Sequence, residues 1–346
     1  MSWATSIRMV ARQLEFRLRN HRTSHLLRLT VLGAVLLLGG CHGVLFAGLN
    51  AIDEHTNIGT ESHVVFDAQH HLALDVYRPT DAEHAPIVVF FYGGDWMRGK
   101  RQWYRFAGAA LAAHGVIAVI PDYRKYPKVK MDGFMQDAAH AVAWTRDHAE
   151  QIGGDPRDIF LMGHSAGGQI AALLATDAKW LQAEGMQPRD LAGFIGLAGV
   201  YDFVPIEAKE KDMIGMFGKT VAEQRRAQPV SFVHGDEPPM LLLHGTADHE
   251  VDPSNSKSLA RAMQVNNEDV TLKLYRGVGH SALLFSMSRP MRDHAPTLDD
   301  VLAFIHSHGT APSNNPLPSS SSLRRQGPGT LARQELEVAG FLPSQE

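Results

Sequence analysis

A single cysteine, Cys41, stands in the 346-residue chain, which excludes an intramolecular disulfide framework, a Cys-rich zinc centre and an iron–sulfur cluster. Charge is sparse too: 33 Lys and Arg are set against 37 Asp and Glu, a formal net charge of −4. No basic block lies in the body of the chain, so the electrostatic footprint of a nucleic-acid binder is missing. Beyond residue 60 there is also no apolar run long enough to cross a bilayer as a helix. A hydrophobic fraction of 44% excludes a disordered chain, and the length suits one large α/β domain or two modest ones.

The two ends read differently from the middle. Arg8, Arg12, Arg17, Arg19, Arg22 and Arg28 face one acid, Glu15, and precede the apolar run LTVLGAVLLL, which ends in Gly39-Gly40-Cys41. This is a signal-peptide pattern, and the run is too short to span a membrane. The segment LGGC resembles a bacterial lipobox. That resemblance implies that residues 1–40 are removed and that Cys41 becomes a lipidated first residue, its acyl chains holding the protein to a membrane. Residues 41–60 would then be a linker, and the protein would sit lipid-anchored in a bacterial cell envelope, at the outer membrane or the periplasmic face. The competing reading is a single transmembrane anchor continuing through GVLFAGLNAI to about Ile52. At the other end, residues 309–346 are rich in Pro, Ser and Gly and read as a solvated tail.

Residues 61–308 alternate strands and helices. His63–Phe66 and Leu72–Tyr77 predict an antiparallel hairpin. Short apolar runs follow at Ile87–Phe91, Val116–Ile120, Ile159–Met162, Phe194–Leu197, Met240–Leu243 and Val270–Tyr275, separated by helix-length segments. Parallel strands buried on both faces require such runs. The pattern predicts a mostly parallel central sheet with helices on both faces and ligands at the carboxyl ends of the strands. Between about 203 and 238 the rhythm breaks, leaving room for a small cap of two short helices.

Chemistry concentrates at those strand ends. IFLMGHSAGG places Ser165 between Gly163 and Gly167 at a strand-to-helix junction, where a sharp turn leaves no room for side chains on either flank. There Ser165 can be a nucleophile, and the Ala166 N–H can face a developing oxyanion. Asp248 follows a later strand in LLLHGTADHEV, and His280 follows the last in LYRGVGHSALL. An imidazole to take the hydroxyl proton and a carboxylate to hold its tautomer complete a nucleophilic site. Asp252 and Glu250 compete with Asp248 for the carboxylate role, since loop geometry cannot be read from sequence. His164 and His244 are expected to pack or hydrogen-bond locally. Gly93 and Gly94, after the first parallel strand, offer further backbone N–H groups. Tyr92 and Trp96, with Met213, Met216 and Phe217 of the cap, are candidates for a substrate pocket; the alternative is that the cap residues only seal the cap to the sheet. No His, Asp and Glu grouping has metal-ligand spacing.

Together these motifs resemble the α/β-hydrolase superfamily, in particular its esterase branch with an HGG-type oxyanion loop, over about Val65 to His306. The resemblance implies an α/β-hydrolase fold and a serine carboxylesterase acting on small or medium esters, with neither metal nor organic cofactor. Ser165 would be nucleophile, His280 general base and then acid, Asp248 the orienting acid, and the N–H groups of Gly93, Gly94 and Ala166 the oxyanion donors. Tyr92 stands where many members carry histidine. Amide hydrolysis of the arylformamidase or peptidase type, and a non-catalytic binding module, are the competing functions. A chain beginning near Ala51 is expected to keep full activity.

Overall fold

The computed structural model describes residues 41–52 and 58–309. Residues 1–40 and the tail beyond Gly309 lie outside the described residues, and with them the leader and most of the expected tail. Where a linker is expected, at 41–60, the chain instead forms helix α1 (Cys41–Ile52) and the start of β1 (Ile58–Asp67). The physical reason is apolar content: Phe46 and Leu49 are one helical turn apart and both are buried, giving the segment a face to pack. No helix among the described residues is long and apolar enough to cross a membrane.

Strand β1 pairs antiparallel with β2 (Leu72–Pro79), which pairs antiparallel with β4 (Ile117–Pro121). Next in the chain come β3 (Ala85–Phe91), a 3₁₀ turn at Arg101–Tyr104, α2 (Arg105–Ala112), β4 (Ile117–Pro121) and α3 (Met131–Asp147). Strand β5 (Gly154–His164) runs straight into α4 (Ala166–Thr176), followed by α5 (Lys179–Gln182) and β6 (Gly193–Leu197). The cap contributes α6 (Lys211–Phe217) and α7 (Val221–Arg225). After it come β7 (Met240–Gly245), α8 (Ser254–Val265), β8 (Val270–Tyr275), α9 (His280–Phe285) and α10 (Thr297–His308).

One eight-stranded sheet results, in the order β1-β2-β4-β3-β5-β6-β7-β8, parallel from β4 onward. Every residue of β4, β6 and β7 is buried. Successive strand residues point to opposite faces, so burial of all of them requires cover on both. The apolar runs read from the sequence are these strands. The segment where the rhythm breaks holds two short helices, α6 and α7. Thr220 and Glu223 form a reciprocal capping box on α7, and Gln224 and Gln228 accept backbone N–H groups of Ile206, Phe203 and Val204 at 2.8–3.1 Å. These bonds supply the backbone partners that an irregular segment lacks.

A charged knot sits under the sheet edge. Arg101 is 5% exposed and Asp75 of β2 2% exposed; Arg101 Nε donates to Asp75 Oδ1 at 2.9 Å and its Nη1 donates to Asp122. Losing one partner of a buried pair strands the other charge. Arg101→Met is therefore expected to lower unfolding free energy by about 3–5 kcal/mol, measured by urea denaturation. Adding Asp75→Asn to that variant should return part of the loss, and a single variant as stable as wild type would show that the pair contributes little.

Candidate active site

The junction of β5 and α4 is sterically determined. Ser165 has φ 57° and ψ −124°, a left-handed backbone that a non-glycine residue adopts only under constraint. A Cβ on Gly163 would fall 2.2 Å from the Gly167 carbonyl oxygen, and one on Gly167 would fall 2.1 Å from that of Phe91. Helix, strand β5 and strand β3 thus meet backbone to backbone, and only glycine fits on either side of Ser165. The Ser165 N–H donates to Leu197 O at 3.0 Å, tying the turn to β6.

Asp248 and His280 converge from the loops after β7 and β8. His280 Nδ1 lies 2.7 Å from Asp248 Oδ2. The other carboxylate oxygen accepts the N–H groups of Glu250 and Val251, each at 2.9 Å. Asp252 is employed elsewhere: its Oδ1 accepts the Ser254 N–H at 2.8 Å at the start of α8. Glu250 lines the cavity. Of the three acids weighed from sequence, Asp248 is the one hydrogen-bonded to His280.

Two further histidines surround this pair. His244 is fully buried; its Nε2 faces Val251 O at 3.0 Å and Asp248 Oδ2 at 3.2 Å. Both partners are acceptors, so Nε2 carries the proton, and Nδ1 accepts from the Ser256 hydroxyl at 2.8 Å. Burial acts to raise the Asp248 pKa, but the hydrogen bonds from His244 and His280 prevail and hold the carboxyl well below the usual carboxylate range. His164 lies against the His280 ring, centroids 4.7 Å apart, and its Nε2 donates to the His280 carbonyl at 3.3 Å. Burial, aided by the neighbouring His280, lowers the His164 pKa to about 3. Both histidines bond locally, as the sequence suggested, and both do so to the Asp248–His280 pair.

Ser165, His280, Gly93 and Gly94 line one cleft with a free volume of about 70 Å³. No hydrogen bond joins Ser165 Oγ to His280, a contact that commonly tightens only when substrate binds. A Cβ on Gly93 would lie 3.1 Å from Ser165 Cβ, so the glycine loop runs directly over the seryl side chain. Below it Tyr92 is fully buried, stacked between Tyr104 and Tyr123 at 5.3 and 4.9 Å. Its hydroxyl donates to Asp122 Oδ1 at 2.8 Å and accepts from Lys125 at 3.0 Å, while its carbonyl accepts from Tyr123 at 2.8 Å.

The expected substrate-pocket residues lie elsewhere. Tyr92 points beneath the loop. Trp96 turns its indole into the protein, donating to Gln169 Oε1 at 2.9 Å and packing edge-on against Phe217 at 5.0 Å. Met216 and Phe217 are buried and Met213 packs against the same core, so the cap residues seal the cap to the body. The apolar lining comes instead from Phe46 of α1, Trp103 and Tyr104 of the 3₁₀ turn, and Leu284 and Phe285 of α9. Leu284 was findable, standing one helical turn from His280. Phe46 carried no sequence signal, because it is remote in the chain and falls in a segment read as linker. A chain cut near Ala51 would lose this wall, so the activity expected of such a chain depends on what Phe46 contributes to the cleft. Away from the cleft, Asp67, His70 and Asp137 offer ligand atoms within 4.8 Å of one another. Both Asp137 oxygens already accept from Arg124, which fits ion pairing rather than a metal.

The sequence profile of the BD-FAE family matches residues 74–263. The chain is 29% identical over 305 residues to the isoprenylcysteine alpha-carbonyl methylesterase ICME of Arabidopsis thaliana, covering 80% of this chain and 69% of that protein. It is 29% identical over 251 residues to esterase LipC of Mycobacterium tuberculosis, covering 67% and 61%. The chain thus spans about two thirds of the length of these relatives. Among solved structures it resembles esterase B of Lactobacillus rhamnosis, with a TM-score of 0.67 at 22% identity, covering 80% and 96%. Esterase Est2 of Thermogutta terrifontis with butyrate bound gives 0.60 at 25%, covering 73% and 94%.

The buried His164 has a consequence for acid stability. An unfolded histidine takes up its proton near pH 6.5, whereas folded His164 resists until about pH 3. Between these values the unfolded state holds more protons, so stability falls as pH falls, by up to roughly 1.4 kcal/mol per pH unit from this group. His280, His244 and Asp248 surround it in wild type and variant alike. His164→Asn should therefore show a shallower loss of unfolding free energy between pH 6.5 and 4.5 than wild type. Equal slopes in urea titrations would refute the assignment.

Proposed function

The chain belongs to the BD-FAE family and is an α/β-hydrolase esterase, and from that premise we propose that it cleaves small or medium carboxylic esters at Ser165 through an acyl-enzyme. The observation that carries this reading is the convergence of the Ser165 elbow, the Asp248–His280 pair and the Gly93-Gly94 loop on one cleft.

Each step follows from the chemistry of the groups. The Asp248 carboxylate holds the proton of His280 on Nδ1, leaving Nε2 as the basic nitrogen. Ser165 Oγ attacks the ester carbonyl carbon while its proton passes to Nε2. Negative charge grows on the former carbonyl oxygen, where the N–H groups of Gly93 or Gly94 and of Ala166 receive it. One such donor is commonly worth about 10²–10³ in kcat. The tetrahedral intermediate collapses, the alcohol departs with the proton from Nε2, and the acyl group stays on Oγ. Water then repeats the sequence and releases the acid. Through its bond to Asp248, His244 supports the carboxylate in its ionised form, and Tyr92, anchored by Asp122 and Tyr123, holds the glycine loop from below. The butyrate in the related Est2 and the small cleft volume favour a short acyl group.

Cys41 belongs to the same picture. The Arg-rich start, the apolar run and Leu38-Gly39-Gly40-Cys41 support a lipid-anchored protein of a bacterial envelope, with acyl chains on Cys41 and the body on the periplasmic side.

A fluorophosphonate probe should label wild type at one site and leave Ser165→Ala unlabelled. Asp248→Asn should lower kcat by about 10³–10⁴ with little change in KM, and Asp252→Asn should not. Labelling that persists in the alanine variant, or the reverse order of the two aspartates, would overturn these roles. Turnover of a formamide in preference to an ester would move the protein to the amide hydrolases, and a folded wild type inert to probe and esters would favour a binding module. Cys41→Ser should abolish metabolic palmitate labelling; mass spectrometry that finds residues 1–40 still attached would favour the transmembrane anchor.

A further inference from the structure

We infer that α1 is the specificity wall of this esterase: Phe46 closes the apolar end of the cleft beside Ser165 and limits the carbon chain of the ester that fits there. The inference rests on Ser165 being the reacting centre.

Phe46 is 5% exposed although it belongs to the first described helix, and it lines the same cleft as Ser165 and His280. Its ring is held on several sides. It stacks on Trp103, centroids 5.3 Å apart with planes 12° from parallel, lies 5.0 Å from Tyr104, and meets the edge of Phe285 at 5.6 Å. A ring packed against three others loses those contacts when it moves, so a longer chain displaces it only at a cost. The helix carrying it is docked by a specific lock. Asn50, four residues on and therefore on the same face, donates through Nδ2 to Gln102 O and accepts the Phe106 N–H at Oδ1, both at 3.0 Å. Phe106 lies in the first turn of α2, so one side chain satisfies an orphan helix-start donor and fixes α1 across the 3₁₀ turn. Leu49, buried between them in sequence, adds an apolar contact to the docking.

The same wall continues onto the helix that begins at His280. Leu284 and Phe285 follow it by four and five residues and line the same space. The cleft is therefore lined by Ser165 and His280 together with aromatic rings from three segments, α1, the 3₁₀ turn and α9. Its free volume is small, about 70 Å³, which suits a short aliphatic chain. Removing the Phe46 ring should extend the cleft in the direction the wall now blocks.

The test uses the full chain and two series of substrates, p-nitrophenyl esters from acetate to octanoate and alkyl acetates from ethyl to octyl, which vary the acyl and the alcohol side separately. In Phe46→Ala the ratio of kcat/KM for the eight-carbon to the four-carbon member should rise about tenfold or more in at least one series, in line with the discrimination a few methylenes support in a closed apolar pocket. Phe46→Leu, which keeps an apolar side chain on the helix, covers the case in which the alanine variant fails to fold, and should shift the ratio in the same direction by less. Asn50→Ala touches neither Ser165 nor the cleft; by releasing the helix it should also favour longer chains. Ratios unchanged in both series for every folded variant, with wild type active on butyrate, would overturn the assignment of Phe46 alone. A wild type that hydrolyses no member of either series would instead overturn the esterase reading and this inference with it.

Discussion

The backbone crowding where β5 turns into α4 is the constraint from which the rest of the site follows. Gly163 lies against the start of α4, and Gly167 lies against β3. No side chain fits at either place, and Ser165 is forced into a left-handed turn that lifts its hydroxyl above the sheet. A residue in that conformation carries a strain of order 1–3 kcal/mol, which the surrounding sheet must offset. It does so through three strands: β5 supplies the residue, β3 blocks the helix from below, and β6 accepts the Ser165 N–H. The parallel order of these strands places all their carboxyl ends on one edge, where loops from β3, β7 and β8 can reach the same serine.

Electrostatics then decide what that edge can do. Asp248 is buried, a position that disfavours a charged carboxylate unless every oxygen is satisfied. Backbone N–H groups occupy one oxygen and two imidazoles the other. His244 completes this set, and Ser256 fixes its tautomer, so a side chain with no contact to the cleft supports the state of one that orients His280. His164 plays a complementary part by staying neutral next to His280 and holding its backbone. A second cation there would oppose the formation of an imidazolium. Beneath the glycine loop, Tyr92 is held by aromatic stacking and by its hydroxyl. It braces the loop without entering the cleft.

The fold class, the hairpin that leads into a parallel sheet, and Ser165 and His280 as candidate site residues were legible because each leaves a local trace. Buried parallel strands are continuous apolar runs, a cap interrupts the rhythm, and an elbow needs glycines at fixed offsets. The choice of Asp248 over Asp252 and Glu250 was not legible, since all three lie within five residues of one loop and only the path of that loop decides which carboxylate meets His280. The lining of the pocket was not legible for a related reason. Trp96 and the cap residues are near Ser165 and apolar, which is equally true of a cleft lining and of a packed seam; their side-chain directions, set by Gln169 and Phe217, put them in the seam.

By itself, then, the sequence determined what is periodic or adjacent: the alternation that builds the sheet, the steric demand at Gly163 and Gly167, and a serine, an aspartate and a histidine in loops that follow buried strands. Tertiary structure alone decided what is brought together from far apart. Phe46 reaches the cleft across more than a hundred residues of intervening chain before Ser165, and Arg101, Asp75 and Asp122 meet under the sheet edge from three separate segments. Such contacts leave no mark on local composition, because burial and direction belong to the packed chain and not to any segment of it.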